Sequence, residues 1–242
     1  MEAFFIPYSM NNGKYNMDLD EAILNMAVEN KLLSPILRLY GWKPACVSLG
    51  RNQSDSHINK SYCAEQGIDI VKRLTGGRAL LHDNEITYSF VCPTNFLQHG
   101  ETIIQSYKEI STAIAAGLKL LSIETEFPVQ KKVSTKYEYC MSLATGADLS
   151  YQGKKIVGSA QFRKQGYILQ HGSILLDYDY TKIVNIFAEK PASEKITTIN
   201  TINKDITVDR LAFALKQGFE DYFKLQWLNL NEESLLRQDT RV

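Results

Sequence analysis

The rhythm of apolar and polar positions changes repeatedly along the chain. Ala3–Tyr8 reads as a first strand. From Asn16 to Glu29 the apolar positions Leu19, Ala22, Ile23, Met26 and Ala27 recur at helical spacing, with Asn16 or Asp18 as the predicted cap. Pro35–Tyr40 and Ala45–Leu49 read as a strand pair, turned at Gly41-Trp42-Lys43-Pro44. Asn59–Gln66 suits a short helix that Gly67 ends before the strand Ile68–Arg73. Ile86–Cys92 is dense in β-branched and aromatic residues, a strand signature. Thr102–Leu121 carries the clearest helical stripe: Ile103, Tyr107, Ile110, Ile114, Gly117, Leu118 and Leu121. Asp148–Tyr151 and Lys155–Arg163 predict a hairpin across Gln152-Gly153-Lys154, followed by the strand Tyr167–Leu176. A last helix, Thr207–Phe223, turns Val208, Leu211, Leu215, Phe219 and Tyr222 inward. Strands outnumber helices and include hairpins, which predicts an α+β fold with a mixed β-sheet flanked by helices.

Composition narrows the class. Of 242 residues, 44% are hydrophobic and 22% charged, ordinary globular usage that excludes a disordered or fibrous chain. No apolar run reaches the ~18 residues of a membrane span, and the start Met1-Glu2-Ala3 lacks the basic region of a secretory signal. The net charge is zero, so there is no global field for nucleic acid. The four cysteines, Cys46, Cys63, Cys92 and Cys140, form no CxxC, and no histidine pair has metal-ligand spacing. A reducing, cytoplasmic setting without a metal is expected.

Three segments carry candidate chemistry. In Arg73-Leu74-Thr75-Gly76-Gly77-Arg78, two glycines allow a sharp turn and close ligand approach, although a tight turn with solvated arginines is an equal reading. Neither a Walker nor a dinucleotide pattern is present. In Lys155–Gln161, strand alternation puts Lys155, Val157, Ser159 and Gln161 on one side and Ile156, Gly158 and Ala160 on the other. Cys140 lies in an irregular polar segment, unlike Cys46 and Cys92, which sit beside valines in β runs and read as inert core thiols. His82 and His171 can move protons near neutrality, while a satisfied core histidine is the default for each.

Four blocks together resemble the biotin/lipoate protein ligase superfamily, specifically octanoyltransferases of the LipM type. They are Asn16-Met17-Asp18-Leu19-Asp20-Glu21, Arg38-Leu39-Tyr40-Gly41-Trp42, Arg73 through Ser89, and Cys140 through Leu176. Their order and spacing fit from about residue 5 to residue 225. Lipoate ligases resemble this region too, but Arg78 stands where their loop has a third glycine, and Glu85-Ile86-Thr87 replaces their Gly-Asn segment. Cys140, fifteen residues before Lys155, matches the acyl-carrying cysteine of the LipM type. Met141 in place of the usual aromatic, Ala144-Thr145-Gly146 in place of a nearby proline, and Lys72 in place of the first arginine of an Arg-Arg pair depart from the pattern.

The resemblance implies one catalytic domain over residues 1–242, without a C-terminal accessory domain. It implies ping-pong octanoyl transfer in lipoate biosynthesis, from octanoyl-acyl carrier protein to a lysine of an apo lipoyl domain, such as glycine cleavage H protein. Cys140 would form the thioester, with Lys155 as its activator. Arg73, Gly76, Gly77, Arg78, His82, Val157, Gly158, Ser159, Ala160, His171 and Gly172 are the implied substrate-binding residues, with His82 a candidate proton shuttle. An oxyanion site falls to backbone N–H groups at Gly76-Gly77 or at Gly158. No metal or nucleotide is required, and no nucleic acid or membrane partner is implied. Lys131, Lys132 and Lys136 are candidates for a basic patch facing the acidic carrier protein, beside the plainer reading of a solvated loop. Two other enzymes share this signature. An ATP-dependent lipoate–protein ligase would need ATP and magnesium and tolerate loss of Cys140; a lipoyl-domain amidotransferase would differ only in its donor. A non-catalytic lipoyl-domain-binding module is disfavoured by intact Cys140 and Lys155.

Overall fold

The computed structural model describes residues 1–128, 148–187 and 193–230. Strand β1 (Glu2–Asn11) leads into helix α1 (Gly13–Glu29). The cap is Asn12, not Asn16 or Asp18: its side chain accepts the Tyr15 N–H, and α1 begins about one turn early. Asn16, Leu19, Asp20, Ile23, Leu24 and Ala27 are buried, so the inner stripe is rotated from the expected one. Asn16 and Asp20 turn inward because a buried arginine below them needs partners.

β2 (Ile36–Trp42) runs parallel to β1 and antiparallel to β6 (Glu85–Pro93). β3 (Cys46–Leu49) lies instead in a three-stranded sheet, between β4 (Asp69–Lys72) and β5 (Leu80–His82). The strand pair expected from Pro35–Tyr40 and Ala45–Leu49 is thus not formed, since β1 and β6 occupy both edges of β2. Helix α2 (Lys60–Glu65) is capped by Asn59 and followed by Gly67 at φ +62°, where glycine is favoured.

Helix α3 (Ile103–Leu120), strands β7 (Leu149–Tyr151), β8 (Lys154–Lys164) and β9 (Tyr167–Leu175), helices α4 (Tyr180–Phe187), α5 (Ile199–Ile202) and α6 (Val208–Phe223), and strand β10 (Gln226–Asn229) complete the order. The large sheet runs β10-β1-β2-β6-β9-β8-β7. Only the β10, β1 and β2 neighbours are parallel, which makes it the mixed sheet of an α+β fold.

The two faces of this sheet differ. One presents Leu37, Leu39, Ile86, Tyr88, Phe90, Val157, Ile168 and Ile174 to α3 and α6, in one dry core. The helices approach closely at two glycines; a Cβ on Gly218 would stand 2.3 Å from the Gly117 nitrogen. The helix stripes stop short of their expected ends: Ile103 is 61% exposed and Tyr222 40%. The other face is apolar where α1 packs Ile23, Leu24 and Ala27 on Ile36, Val91 and Leu169. Beyond that patch it becomes polar, with Arg38, Tyr40, Glu85, Thr87, His171 and Ser173 all buried.

Candidate active site

A cavity is lined by residues of α1, β2, the small sheet, β6, β8 and β9. Met17, Trp42, Leu80, Gly158, Ala160 and Gly172 give it apolar walls. Tyr40, Ser48, Arg73, His82, Thr87, Ser159, His171 and Ser173 supply the polar groups.

The polar wall starts from Arg38, which is fully buried. Its guanidinium donates to Asp20 Oδ1 at 3.0 Å and to Asn16 Oδ1 at 2.7 Å. Asn16 and Asp20 are four residues apart on α1 and so share a face. The second Asp20 oxygen accepts the Tyr40 hydroxyl at 2.9 Å and pairs with His171 Nδ1 at 3.1 Å. Burial pushes the Asp20 carboxyl up, but the His171 hydrogen bond and the Arg38 charge outweigh it and hold it below its usual value. Burial, then the Asp20 charge, drive the Tyr40 phenol well above its usual range, so it remains a neutral donor.

Arg73 organises the glycine loop. Nε donates to Thr75 Oγ1 at 3.1 Å, and Nη1 donates to the Ser48 carbonyl at 2.9 Å and its hydroxyl at 3.0 Å. Nη2 donates to the carbonyls of Gly76 at 3.0 Å and Arg78 at 2.7 Å. Gly77 has φ +95°, and a Cβ on Gly50 would stand 1.9 Å from the Gly77 carbonyl oxygen. These glycines therefore serve backbone packing: the loop lies against Gly50 while Arg73 holds its carbonyls.

Each histidine sits between a hydroxyl and a carboxylate. His82 Nε2 meets Ser48 Oγ at 2.7 Å, and its Nδ1 meets Glu85 Oε1 at 2.8 Å. His171 Nε2 meets Thr75 Oγ1 at 2.7 Å, with Asp20 on its other nitrogen. Trp42 stacks on the His82 ring at 4.0 Å between centroids and donates its indole N–H to Thr87. Glu85 also accepts from Thr87 and Ser173. Burial pushes its carboxyl up, but His82, Ser173 and Thr87 bring it below its usual value.

Arg73, His82, Gly158, Ser159, Ala160, His171 and Gly172 thus line one cavity. Gly76, Gly77 and Arg78 are not among its lining; they form the frame gripped by Arg73. Val157 is a correction: it packs in the dry core on the opposite face, because alternation along β8 turns it toward α3 and α6. Lys155 is 3% exposed, and its ammonium donates to Asp148 Oδ2 at 2.9 Å, one strand turn before the lining stretch Gly158–Ala160. Asp148 Oδ1 accepts the Ser159 N–H at 3.3 Å, tying that pair to the cavity wall. Cys140, Lys131, Lys132 and Lys136 lie outside the described residues. Cys46 and Cys92 are buried free thiols pushed well up, mainly by burial, in keeping with inert core cysteines.

Sequence reasoning did not single out Asp20, Arg38, Ser48, Thr75, Glu85 or Asp148. The available signal was polarity in an apolar pattern. Arg38 interrupts a strand with Ile36, Leu37 and Leu39, and Asp20 interrupts a helix stripe with Leu19 and Ile23. Two such residues of opposite charge are best satisfied by each other.

Residues 12–220 match the family model for the lipoyl protein ligase A/B catalytic domain. An octanoyltransferase LipM of Lysinibacillus sphaericus is 35% identical, covering 94% of this chain and 91% of its own length. That of Staphylococcus aureus is also 35% identical, covering 96% and 91%. In fold, a crystal structure of lipoate-protein ligase A bound with ATP superposes with a TM-score of 0.81 at 24% identity, covering 98% of this chain and 94% of that one. The chain belongs to the lipoyl protein ligase A/B catalytic-domain family, in its octanoyltransferase LipM branch.

Proposed function

We propose that this octanoyltransferase of lipoate biosynthesis works through a cysteine thioester. Octanoyl-acyl carrier protein presents an activated acyl group to Cys140, and a lysine of an apo lipoyl domain takes it from there as an amide. Glycine cleavage H protein is one such acceptor. The thioester already carries the activation that a ligase must obtain from ATP, so neither nucleotide nor metal enters the transfer. Covalent catalysis divides an exchange between two large proteins into two simpler steps.

The observation that carries this reading is the buried Lys155–Asp148 pair at 2.9 Å, on the strand that continues into the cavity wall. Asp148, which holds that ammonium, follows Cys140 by eight residues in sequence. The ammonium's positive charge favours a thiolate and a developing oxyanion nearby. The apolar walls formed by Met17, Trp42 and Leu80 suit an eight-carbon chain, each buried methylene contributing about 0.8 kcal/mol. Among the described residues no helix is long and apolar enough to cross a membrane. A cytoplasmic site of action matches the carrier-protein donor.

The test is intact-mass analysis after mixing the protein with octanoyl-acyl carrier protein without ATP, beside Cys140→Ser. An octanoyl adduct on the wild type only, removed by an apo lipoyl domain, is the expected result. Acylation of the acceptor only when free octanoate and ATP are supplied would make the protein a ligase. A requirement for an octanoylated lipoyl protein as donor would make it an amidotransferase.

A further inference from the structure

We propose that Ser48 and His82 form a proton relay for the attacking amine, with Glu85 as their positioning residue. The donors and acceptors fix its direction. Arg73 can only donate, so Ser48 Oγ accepts from its Nη1 at 3.0 Å. The serine proton is then directed along the 2.7 Å contact to His82 Nε2. Glu85, an ionised acceptor, takes the His82 Nδ1–H at 2.8 Å and leaves the Nε2 lone pair toward Ser48. The Trp42 stack at 4.0 Å holds the ring, and Thr87 and Ser173 hold Glu85. Ser48 and His82 both line the cavity. A hydroxyl, an imidazole and a buried carboxylate in this order form an arrangement that moves protons.

The Thr75–His171–Asp20 series has the same order, and Arg73 Nε donates to Thr75 as Nη1 does to Ser48. Two observations favour the Ser48 branch. Both hydroxyls are buried, but Ser48 is among the described cavity lining and Thr75 is not. Asp20 is further committed to Arg38 and Tyr40. The charged groups around His82 are Glu85 from β6 and Arg73 from the loop after β4, with the His171–Asp20 pair beyond Thr75. Cys46, opposite His82 in the ladder, is a buried thiol pushed up and stays neutral.

The inference deepens the proposed function and rests on its thioester donor. A lysine ammonium first loses one proton to solvent to become a nucleophile. The nitrogen–carbon bond forms, the carbon–sulfur bond breaks, and the latter's electron pair leaves on sulfur. The second nitrogen proton passes to Ser48 Oγ as the serine's own proton moves to His82 Nε2. The imidazolium, stabilised by Glu85, releases its proton to solvent, from which the departing sulfur is protonated. Amide and thiol are the products, and the relay ends as it began.

The experiment is single-turnover kinetics of both half-reactions at several pH values, for wild type, Ser48→Ala, His82→Gln and Ser48→Thr. Ser48→Ala and His82→Gln are expected to slow amide formation on the lipoyl domain by about 100-fold or more, the range of general-base effects, while sparing acyl-enzyme formation. The deficit should narrow at alkaline pH, where hydroxide takes the second nitrogen proton in place of the relay, and Ser48→Thr should recover most of the rate. Equal slowing of both half-reactions, or a deficit constant with pH, overturns the relay. Should the variants not fold, a proton inventory on the wild-type amide step decides: a curve requiring two protons in flight supports the relay, and a straight line overturns it. Amide formation without an acyl-enzyme would defeat the Cys140 reading while leaving the amide-step readouts intact; no amide formation at all defeats both.

Discussion

Removing Asp20 tests the polar face of the sheet most directly. In Asp20→Ala, Arg38 remains fully buried, keeps its bonds to Asn16 and loses the carboxylate that neutralises it. The Tyr40 hydroxyl loses its acceptor, and His171 loses the group that orients it. Leaving one charge of a buried pair uncompensated costs about 3–5 kcal/mol. An orphaned buried hydroxyl adds about 1–3 kcal/mol. The two share one network, so they do not add fully, and a loss of about 4–6 kcal/mol is expected. Against the ~5–15 kcal/mol of a typical domain, that is a large share of the stability. Urea denaturation at neutral pH measures it; with a slope of about 3 kcal/mol per molar, the midpoint falls by more than about 1 M. A fall below about 0.3 M would refute the reasoning, because it would mean that water or another group neutralises Arg38. The double variant Asp20→Leu/Arg38→Met separates charge from packing. Replacing both partners with apolar residues is commonly neutral or stabilising, so the double variant should recover most of the lost stability. Its activity should stay low, because Tyr40 and His171, both lining the cavity, remain unanchored.

Further outcomes follow from the same geometry. Acid should destabilise the fold through Asp20 and Glu85. Their folded values lie below the usual 3.8 and 4.5, so their stabilisation is complete above those values and is lost as pH falls below them toward the folded ones, a loss an acid titration of the urea midpoint would show. Lys155→Ala should lose stability by about 3–5 kcal/mol as well as activity, since it removes the ammonium paired with the buried Asp148 carboxylate; a Tm unchanged from wild type would contradict the buried pair. Gly50→Ala drives a methyl into the Gly77 carbonyl and should cost at least about 1–3 kcal/mol, with octanoyl transfer falling further as the Arg73 loop shifts. Cys46, Cys63 and Cys92, all buried, should resist alkylation in the native protein and react after unfolding, as mass mapping would show.

Much of the fold was legible because periodicity reports burial. The helices α2, α3 and α6 and the β7–β8 hairpin fall within a residue or two of their expected bounds. The misreadings arise where tertiary partners decide. The two strands on either side of Trp42 and Pro44 join different sheets, which adjacency in sequence does not report. The α1 stripe is rotated because Asn16 and Asp20 answer Arg38 on a strand eighteen or more residues away. Val157 packs in the dry core, because alternation does not say which face of a strand holds the cavity. The site residues that motifs single out, Arg73, His82 and His171, are present; the carboxylates and hydroxyls that set their protonation come from other elements.

Arg73 gives these pieces a common dependence. One guanidinium holds the carbonyls of Gly76 and Arg78, which shape the glycine loop, and donates to both Ser48 and Thr75, the hydroxyls facing the two histidines. Loop conformation and the orientation of both hydroxyl–histidine pairs are therefore set by the same planar group. Lysine is a poor substitute, because a single ammonium cannot reproduce five donors in a fixed fork. On the proposed thioester route, two proteins reach this cavity in turn. A site whose proton-carrying groups are fixed before either arrives need not reorganise during either half-reaction. That preorganisation is what a buried, hydrogen-bonded polar wall provides in exchange for its desolvation.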